Sequence, residues 1–318
     1  MMNDWYDSFI EALYEKYPKK SQLTEALMDL LLIERESAYR RLRKDIIFPV
    51  HELVKIASAW NISLDEIVGI NSKQITFKVQ IWDYLNPSNK ELEDMRILVE
   101  NHDDVKRYPD MEYMEVSNRL SRILTSGFPY LNKLYLLKWM YQYVSQEVLS
   151  FSMINFPKKV SDLSSEYHAA SKNIANISFI WDYTLFDNLV HDIHYFCSIY
   201  LITNEEKELL KKDLHDLLDY MCEVATKGCW PETGNKVSLY ISQINIDTNY
   251  SYYYSEEVKL CRVHAFAKNE IFTYNTAMVE NFRNWMQSKK KSSVQISEAD
   301  EKSRIGFFMK QRELVDTL

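Results

Sequence analysis

Glycine is scarce in this sequence. Only five glycines occur among the 318 residues, whereas average usage of roughly 7% would give about 22. No two of them lie closer than six positions apart, so the usual glycine-rich motifs for dinucleotides and nucleoside triphosphates cannot occur. The G-x-S-x-G elbow of many hydrolases is absent for the same reason. This scarcity argues against much of the common nucleotide-dependent and hydrolytic chemistry.

Cysteines and long apolar runs are also few. The four cysteines form no C-x-x-C pair, and four scattered cysteines in a chain of this length indicate reduced thiols. Apolar runs such as residues 30–33 fall far short of the roughly 18 residues that a membrane span needs. No basic segment followed by an apolar run marks an export signal near residue 1. We therefore expect a cytoplasmic protein that has no membrane partner.

The composition of the rest of the chain is that of a folded globular protein, with 46% hydrophobic and 26% charged residues. The net charge of −8 argues against a nucleic-acid binder that is basic over its whole surface. It leaves room for a basic face on one domain, because affinity for phosphate is set locally. The length suggests about two domains.

The first 71 residues carry apolar side chains at the three- and four-residue spacing of short amphipathic helices. Pro18 ends the first helix and Pro49 opens the fourth, since proline disrupts a helix interior but fits a helical first turn. Residues 63–66 form a capping box for a fifth, short helix that Gly69 ends. The pattern predicts a compact five-helix domain over residues 1–71, followed by a linker at residues 72–80.

Residues 81–318 are predicted to form a larger domain that is helical up to residue 230 and contains helices and strands from residue 235. The helical spacing covers residues 89–100, 111–124, 130–148, 173–200 and 203–227. Alternating apolar and polar side chains then predict a strand at residues 237–246, and two further β-like runs follow at residues 250–254 and 258–266. Closing helices are predicted at residues 276–289 and 300–315. The predicted fold class is mainly α, with a small antiparallel sheet near residues 236–268.

Three segments of the N-terminal domain resemble a known family: residues 23–27 (LTEAL), 37–43 (SAYRRLR) and 53–65 (LVKIASAWNISLD). They are similar to the Cro/C1-type (XRE-like) helix-turn-helix domain of bacterial transcriptional regulators, which has the lambda-repressor-like fold. The resemblance covers about a fifth of the chain. It implies that the third helix enters the major groove of DNA and that a dimer binds two half-sites. The chain departs from the family pattern by lacking the glycines before and after that helix, the second near Lys44 and Asp45.

The charge of the third helix differs from that of its surroundings. Residues 34–44 contain five basic and two acidic side chains, a charge of +3, whereas residues 1–70 contain nine basic and twelve acidic ones, a charge of −3. If Ala38 and Leu42 face the core, the outward residues become the DNA-binding candidates, which are Glu36, Ser37, Tyr39, Arg40, Arg43 and Lys44. The guanidinium of Arg40 fits guanine, and the Glu36 carboxylate fits cytosine. Ser37 suits a base or a phosphate, and the two remaining cations suit phosphates.

Two alternatives to DNA binding stay open at this point. The basic face can be a solvated surface on which Arg40 and Arg43 pair with Glu36. The helix-turn-helix can also be degenerate, in which case the protein is an interaction scaffold, and the acidic balance of residues 1–70 favours that idea. The preferred interpretation is a transcriptional regulator that binds double-stranded DNA as a homodimer. Its C-terminal domain then serves oligomerisation or binds an effector, either a small molecule or a protein.

Outside the N-terminal domain, the sequence offers no catalytic constellation, no cofactor motif and no strong metal site, so we expect no enzyme. His191 and His194 share one helical face, but two imidazoles alone are a weak zinc hypothesis and a polar helix surface is favoured. Nine aromatic residues are interpreted as core and interface, with a ligand pocket as the alternative: Trp139, Tyr141, Tyr143, Trp181, Tyr183, Phe186, Tyr195, Phe196 and Tyr200. Residues 250–254 are expected to be a strand with one exposed tyrosine face for a partner.

Overall fold

The chain divides into two compact units, Met1–Thr76 and Phe77–Leu318. The computed structural model describes residues 4–60, 62–64, 67, 75–143, 150–265, 269–298 and 300–318. Within these ranges, no helix has both the length and the apolar character that crossing a membrane requires.

The N-terminal unit consists, in its described residues, of four helices: α1 (Asp4–Lys16), α2 (Lys20–Leu31), α3 (Arg35–Leu42) and α4 (Val50–Trp60). Their apolar faces meet in one core, whose fully buried members include Phe9, Leu13, Leu23, Leu27 and Ile56. The prediction of five helices is wrong for this unit. The expected fifth helix at residues 63–69 falls mainly outside the described residues.

Two non-glycine residues of this unit have a left-handed backbone conformation. Leu32 follows α2 with a φ of 57° and a ψ of 47°, and Lys44 follows α3 with a φ of 68°. Both lie at the turns where the sequence lacks the glycines of the helix-turn-helix pattern. A side chain in this conformation costs roughly 1–2 kcal/mol, because its Cβ approaches the following carbonyl oxygen. The unit therefore carries local strain before and after α3.

Replacing Leu32 with glycine is expected to raise the free energy of unfolding of the N-terminal unit by about 0.5–1 kcal/mol. Glycine relieves the left-handed strain, which outweighs its larger loss of backbone entropy. Little packing is lost, because Leu32 is 85% exposed. Hydrogen exchange of the α2 amides in the intact chain measures the change. The control is glycine at Ser58, an exposed residue inside α4, which should destabilise the unit; a loss of stability in Leu32→Gly would contradict the prediction.

The C-terminal unit is built on a mixed sheet with eight strands in the described residues. The strands are β1 (Lys78–Gln80), β2 (Glu112–Ser117), β3 (Asn176–Asp182), β4 (Lys236–Ser242), β5 (Tyr250–Tyr254), β6 (Lys259–Ala265), β7 (Asn269–Thr273) and β8 (Ser293–Gln295). Their order across the sheet is β1-β7-β6-β5-β2-β3-β4-β8. The neighbours β2, β3 and β4 are parallel, and the other pairs are antiparallel.

Eight helices belong to this unit in its described residues: α5 (Asn89–Asp104), α6 (Arg122–Thr125), α7 (Pro129–Tyr143), α8 (Lys158–Ser171), α9 (Leu185–Ser198), α10 (Asn204–Lys227), α11 (Thr276–Ser288) and α12 (Glu301–Asp316). The helix predicted at residues 203–227 is confirmed as α10. The Thr203 hydroxyl caps it by accepting a hydrogen bond from the Glu206 amide, and Gly228 ends it with a φ of 70°. The closing helices are confirmed as α11 and α12.

The predicted fold class is wrong, because the sheet is neither small nor antiparallel throughout. Its parallel centre contains β2 and β3, which lie in segments predicted to be helical. Residues 113–117 of β2 are all buried, as are five of the seven residues of β3. A strand that is buried on both faces has no alternation of apolar and polar side chains, so its sequence resembles that of a buried helix.

The expected exposed tyrosine face of β5 is also wrong. Tyr252 and Tyr253 point to opposite faces of the sheet and both are buried, at 0% and 4% exposure. One face packs on α11, where Tyr252 meets Val279 and Phe282. The other face belongs to the main core, where Tyr253 lies near α5 and α8. Both faces of β5 are therefore covered, and its two edges pair with β2 and β6.

Candidate functional site

Helix α3 of the N-terminal unit carries the residues that the sequence indicated for DNA binding. Ala38 and Leu42 face the core. Of the six candidates, Glu36, Arg40, Arg43 and Lys44 are exposed, whereas Ser37 and Tyr39 are half-buried. The Tyr39 ring lies 5.2 Å from the ammonium group of Lys20, which comes from α2. The exposed candidates therefore share one side of the helix and its C-terminal turn.

The side chain of Arg41 is mostly buried and pairs with an acidic residue of the same unit. Its guanidinium donates two hydrogen bonds to the Glu52 carboxylate of α4, at 2.7 and 2.8 Å, and both side chains are only about a tenth exposed. A third bond, of 2.6 Å, runs from Arg41 to the Ser37 hydroxyl. Arg41 thus holds α3 against α4, and the Ser37 oxygen that was expected to face DNA accepts a bond within its own helix.

Ion pairs also engage most of the exposed cations on α3 and in the turn that follows it. Arg43 pairs with Glu36 at 2.9 Å and with Asp45 at 3.2 Å, and Lys44 pairs with Asp7. The Arg43–Glu36 pair is one that the alternative of a solvated basic face predicts. Exposed pairs contribute only about 0–1 kcal/mol and are screened by salt, so DNA phosphates can compete for these cations. Arg40 differs from them: its side chain forms no ion pair or hydrogen bond within the described part of the chain.

The other sequence candidates do not come together in a site. No three metal-ligating side chains lie close enough to hold an ion in the described ranges, which include His191 and His194. Trp181, Phe186 and Phe196 are core residues, whereas Tyr200 is 91% exposed. The side chain of Tyr143 lies outside the described residues. These aromatic residues therefore do not form one ligand pocket.

A row of polar side chains that sequence reasoning missed crosses the sheet of the C-terminal unit. Strand register places Glu115 of β2 beside Ser251 of β5, and Ser251 beside Arg262 of β6. His264 of β6 lies beside Glu270 of β7. Because alternate residues of a strand share a face, all five point to the same side of the sheet. One signal was present in the sequence: charged Arg262 inside a predicted strand.

This polar row forms one wall of a cavity of about 60 Å³. Arg119 and Arg122, from the segment that follows β2, line the cavity together with Arg262, Glu115 and Glu270. The Arg119 guanidinium lies 4.5 Å from the centre of the Tyr135 ring, and that of Arg122 lies 5.0 Å from the Tyr167 ring. Three guanidinium groups therefore line one small space that tyrosine rings help to enclose.

The two carboxyl groups of the cavity differ in their protonation behaviour. Burial raises the pKa of Glu115, even though Tyr113 and Ser121 donate hydrogen bonds to its Oε2 atom. Burial is also the largest single effect on Glu270 and would raise its pKa, but the positive groups around the carboxylate, of which Arg262 at 3.5 Å is the strongest, together lower the pKa. The environment thus favours a neutral Glu115 and an ionised Glu270.

Comparison of the chain with known protein families, curated proteins and solved structures gives no match.

Proposed function

We propose that the N-terminal unit binds double-stranded DNA in a sequence-specific manner and that the protein is a transcriptional regulator. The observation that carries the proposal is Arg40, an exposed guanidinium on α3 with no partner in the described residues. Arg43 and Lys44 extend the same basic surface and are held only by exposed ion pairs. Arginine presents a planar fork of donors that matches the O6 and N7 atoms of guanine.

The protein binds DNA as a homodimer in this proposal. One α3 helix with a single unpaired cation contacts few phosphates, so the affinity of one unit is modest. Two copies that read two half-sites, one helical turn or a multiple of it apart, supply the remaining affinity. Duplexes with one or two copies of a selected half-site test this point, since a dimer requires both copies for tight binding.

Replacing Arg40 with alanine is expected to weaken binding to a selected duplex by about 1–3 kcal/mol, or roughly 5- to 150-fold. The lost contact is to a base, so binding to random duplexes should change much less than binding to the selected one. The measurement is a titration of the intact protein against both duplexes at two salt concentrations. An unchanged sequence preference in Arg40→Ala would contradict the assignment.

Lys55→Ala is the matched control for this experiment. Lys55 is an exposed cation on α4 of the same unit, so its removal changes the net charge by the same amount. We expect Lys55→Ala to weaken the affinity for all duplexes slightly and to the same extent. Wild-type protein that shows no salt-dependent binding to pooled duplex DNA would refute the proposed function itself.

A second candidate function is an interaction scaffold. Val50 and Val54 lie one turn apart on α4 and are 75% and 54% exposed, so together they form a small exposed apolar surface. Such a pair suits contact with another protein surface better than contact with DNA phosphates. Replacement of Val54 with glutamate separates the two candidates: a scaffold should lose self-association or partner binding, whereas loss of DNA binding alone would favour the regulator.

A further inference from the structure

The guanidinium of Arg122 lies beside aromatic side chains in the C-terminal unit. It lies 5.0 Å from the Tyr167 ring and 5.9 Å from the Tyr84 ring. Within the described residues it forms no ion pair and no side-chain hydrogen bond. A guanidinium has five N–H donors, so those of Arg122 are available to a bound ligand. Its surroundings therefore suit an anion that accepts hydrogen bonds from Arg122.

The charge balance of the cavity agrees with this requirement. Arg119, Arg122 and Arg262 supply three positive charges, and ionised Glu270 supplies one negative charge. With Glu115 neutral, these four side chains leave two positive charges in excess, and His264 also lines the cavity. The Oε1 atom of Glu115 is buried and has no hydrogen-bond partner among the described residues, whereas Oε2 accepts two hydrogen bonds. A proton on Oε1 would thus be available to donate to an oxyanion.

The size of the cavity suits a small charged group. A buried water needs roughly 10–15 Å³, so a cavity of about 60 Å³ has room for about four or five atoms, the size of a tetrahedral oxyanion. A whole metabolite does not fit into this space. A ligand that places its anionic group here must have its body elsewhere.

A larger cleft adjoins the cavity and offers room for such a body. It has a volume of about 600 Å³, within the range of small-molecule sites, and shares Arg122, Arg262 and Glu270 with the cavity. Its other walls include the aromatic side chains of Trp82, Tyr108, Phe272 and Tyr274. Aromatic walls favour a flat, partly apolar body.

We propose that the C-terminal unit binds a small organic phosphate monoester with an aromatic body, of which a nucleoside monophosphate is a simple example. The phosphate group lies in the arginine cavity and accepts hydrogen bonds from Arg122, whose tyrosine neighbours hold its guanidinium in place. The two excess positive charges balance a phosphate dianion, whereas a monocarboxylate would leave one of them uncompensated. The aromatic body occupies the larger cleft. This site does not depend on whether the N-terminal unit binds DNA.

The test is calorimetric titration of the intact protein in a phosphate-free buffer of fixed ionic strength. The probes are adenosine 5′-monophosphate, uridine 5′-monophosphate, inorganic phosphate, adenosine and benzoate. We expect saturable binding of at least one nucleoside monophosphate, weaker binding of inorganic phosphate, and no binding of adenosine. The proposal would be overturned if neither nucleoside monophosphate nor inorganic phosphate binds. It would also be overturned if benzoate binds more tightly than all three of these phosphates.

Two variants separate the phosphate site from the cleft. Arg122→Gln should weaken both inorganic phosphate and the monophosphate by about 10- to 100-fold, the effect of losing charge-assisted hydrogen bonds. Ile97→Trp fills the rim of the cleft from an exposed position on α5, so it should weaken the monophosphate and spare inorganic phosphate.

Both control variants lie on α5, as Ile97 does, but outside the cleft. Arg96→Gln removes an exposed arginine, and Lys90→Trp places a tryptophan at another exposed position. Neither should change binding of any probe. If Arg122→Gln does not fold, Ile97→Trp still tests the placement of the body, since it changes no buried charge. Equal effects of a variant and its control would refute the site.

Discussion

Replacing Glu52 with glutamine is expected to lower the free energy of unfolding of the N-terminal unit by about 3 kcal/mol. Glutamine keeps the shape of the side chain but removes the negative charge that accepts two hydrogen bonds from Arg41, at 2.7 and 2.8 Å. Both side chains are about a tenth exposed, so water cannot replace the lost partner well. Hydrogen exchange of the α3 and α4 amides in the intact chain reports the free energy of opening in this unit.

A second ion pair of the same unit supplies the control. Glu25 pairs with Arg35 at 3.5 Å, and both side chains are more than half exposed. Glu25→Gln should therefore cost less than about 1 kcal/mol. The double replacement of Arg41 by methionine and Glu52 by leucine should recover much of the loss, since no charge then stays buried without a partner. A loss in Glu52→Gln no larger than that in Glu25→Gln would contradict the prediction.

Acidification from pH 6.5 towards pH 3 is expected to destabilise the C-terminal unit through His102, which is 3% exposed. Its Nδ1 atom lies 2.8 Å from the Leu98 carbonyl oxygen, which can only accept a hydrogen bond, so Nδ1 carries the proton. The unprotonated Nε2 atom then accepts from the Tyr253 hydroxyl, also at 2.8 Å. The folded unit thus holds a neutral imidazole with both nitrogens bonded.

Burial and, to a smaller extent, the positive charge of Arg262 together lower the pKa of His102 from 6.5 to about 3. Below pH 6.5, His102 binds a proton in the unfolded chain but not in the folded chain. The contribution of the neutral imidazole to stability is therefore complete above pH 6.5 and is lost as the pH falls towards 3. The unfolding equilibrium constant should rise by up to about ten-fold for each pH unit in that window.

The measurement is denaturant unfolding of the intact protein between pH 4 and pH 7, for the wild type and for His102→Phe. The variant should be less stable at pH 7, because the Tyr253 hydroxyl loses its acceptor. Its free energy of unfolding should fall less steeply as the pH is lowered, because up to one proton fewer is taken up on unfolding. His191→Gln, at an exposed position, is the control and should keep the wild-type slope. Equal slopes in the wild type and His102→Phe would contradict the depressed pKa.

Much of the helical structure could be predicted because its signals are local. The capping box at Thr203, the apolar stripe after it and Gly228 are all contained within one segment, and α10 follows from them. The strands β5 and β6 were predicted from the same kind of local evidence. The strands β2 and β3 were wrongly predicted as helices, because burial on both faces removes the alternation that identifies a strand.

The candidate DNA surface was only partly predictable. Helical spacing placed Ala38 and Leu42 inward and Arg40 outward, but it assigned Arg41 to the general basic charge of the helix. The partner of Arg41 is Glu52, eleven positions away on the next helix, and only the packing of α4 on α3 brings the two together. The missing glycines are a second example. The sequence shows that they are absent, but only the structure shows that Leu32 adopts a left-handed conformation in their place.

The sequence by itself determined the periodic helices, the division of charge between α3 and its surroundings, and the absence of glycine-rich phosphate loops. These are properties of residues close together in the chain. Only the tertiary structure decided that Glu115, Arg122, Arg262 and Glu270 line one cavity. They come from β2, α6, β6 and β7, and strand register brings together positions more than a hundred residues apart. Such contacts produce no periodic pattern in the sequence, because each of these elements contributes a single one of the four charged residues.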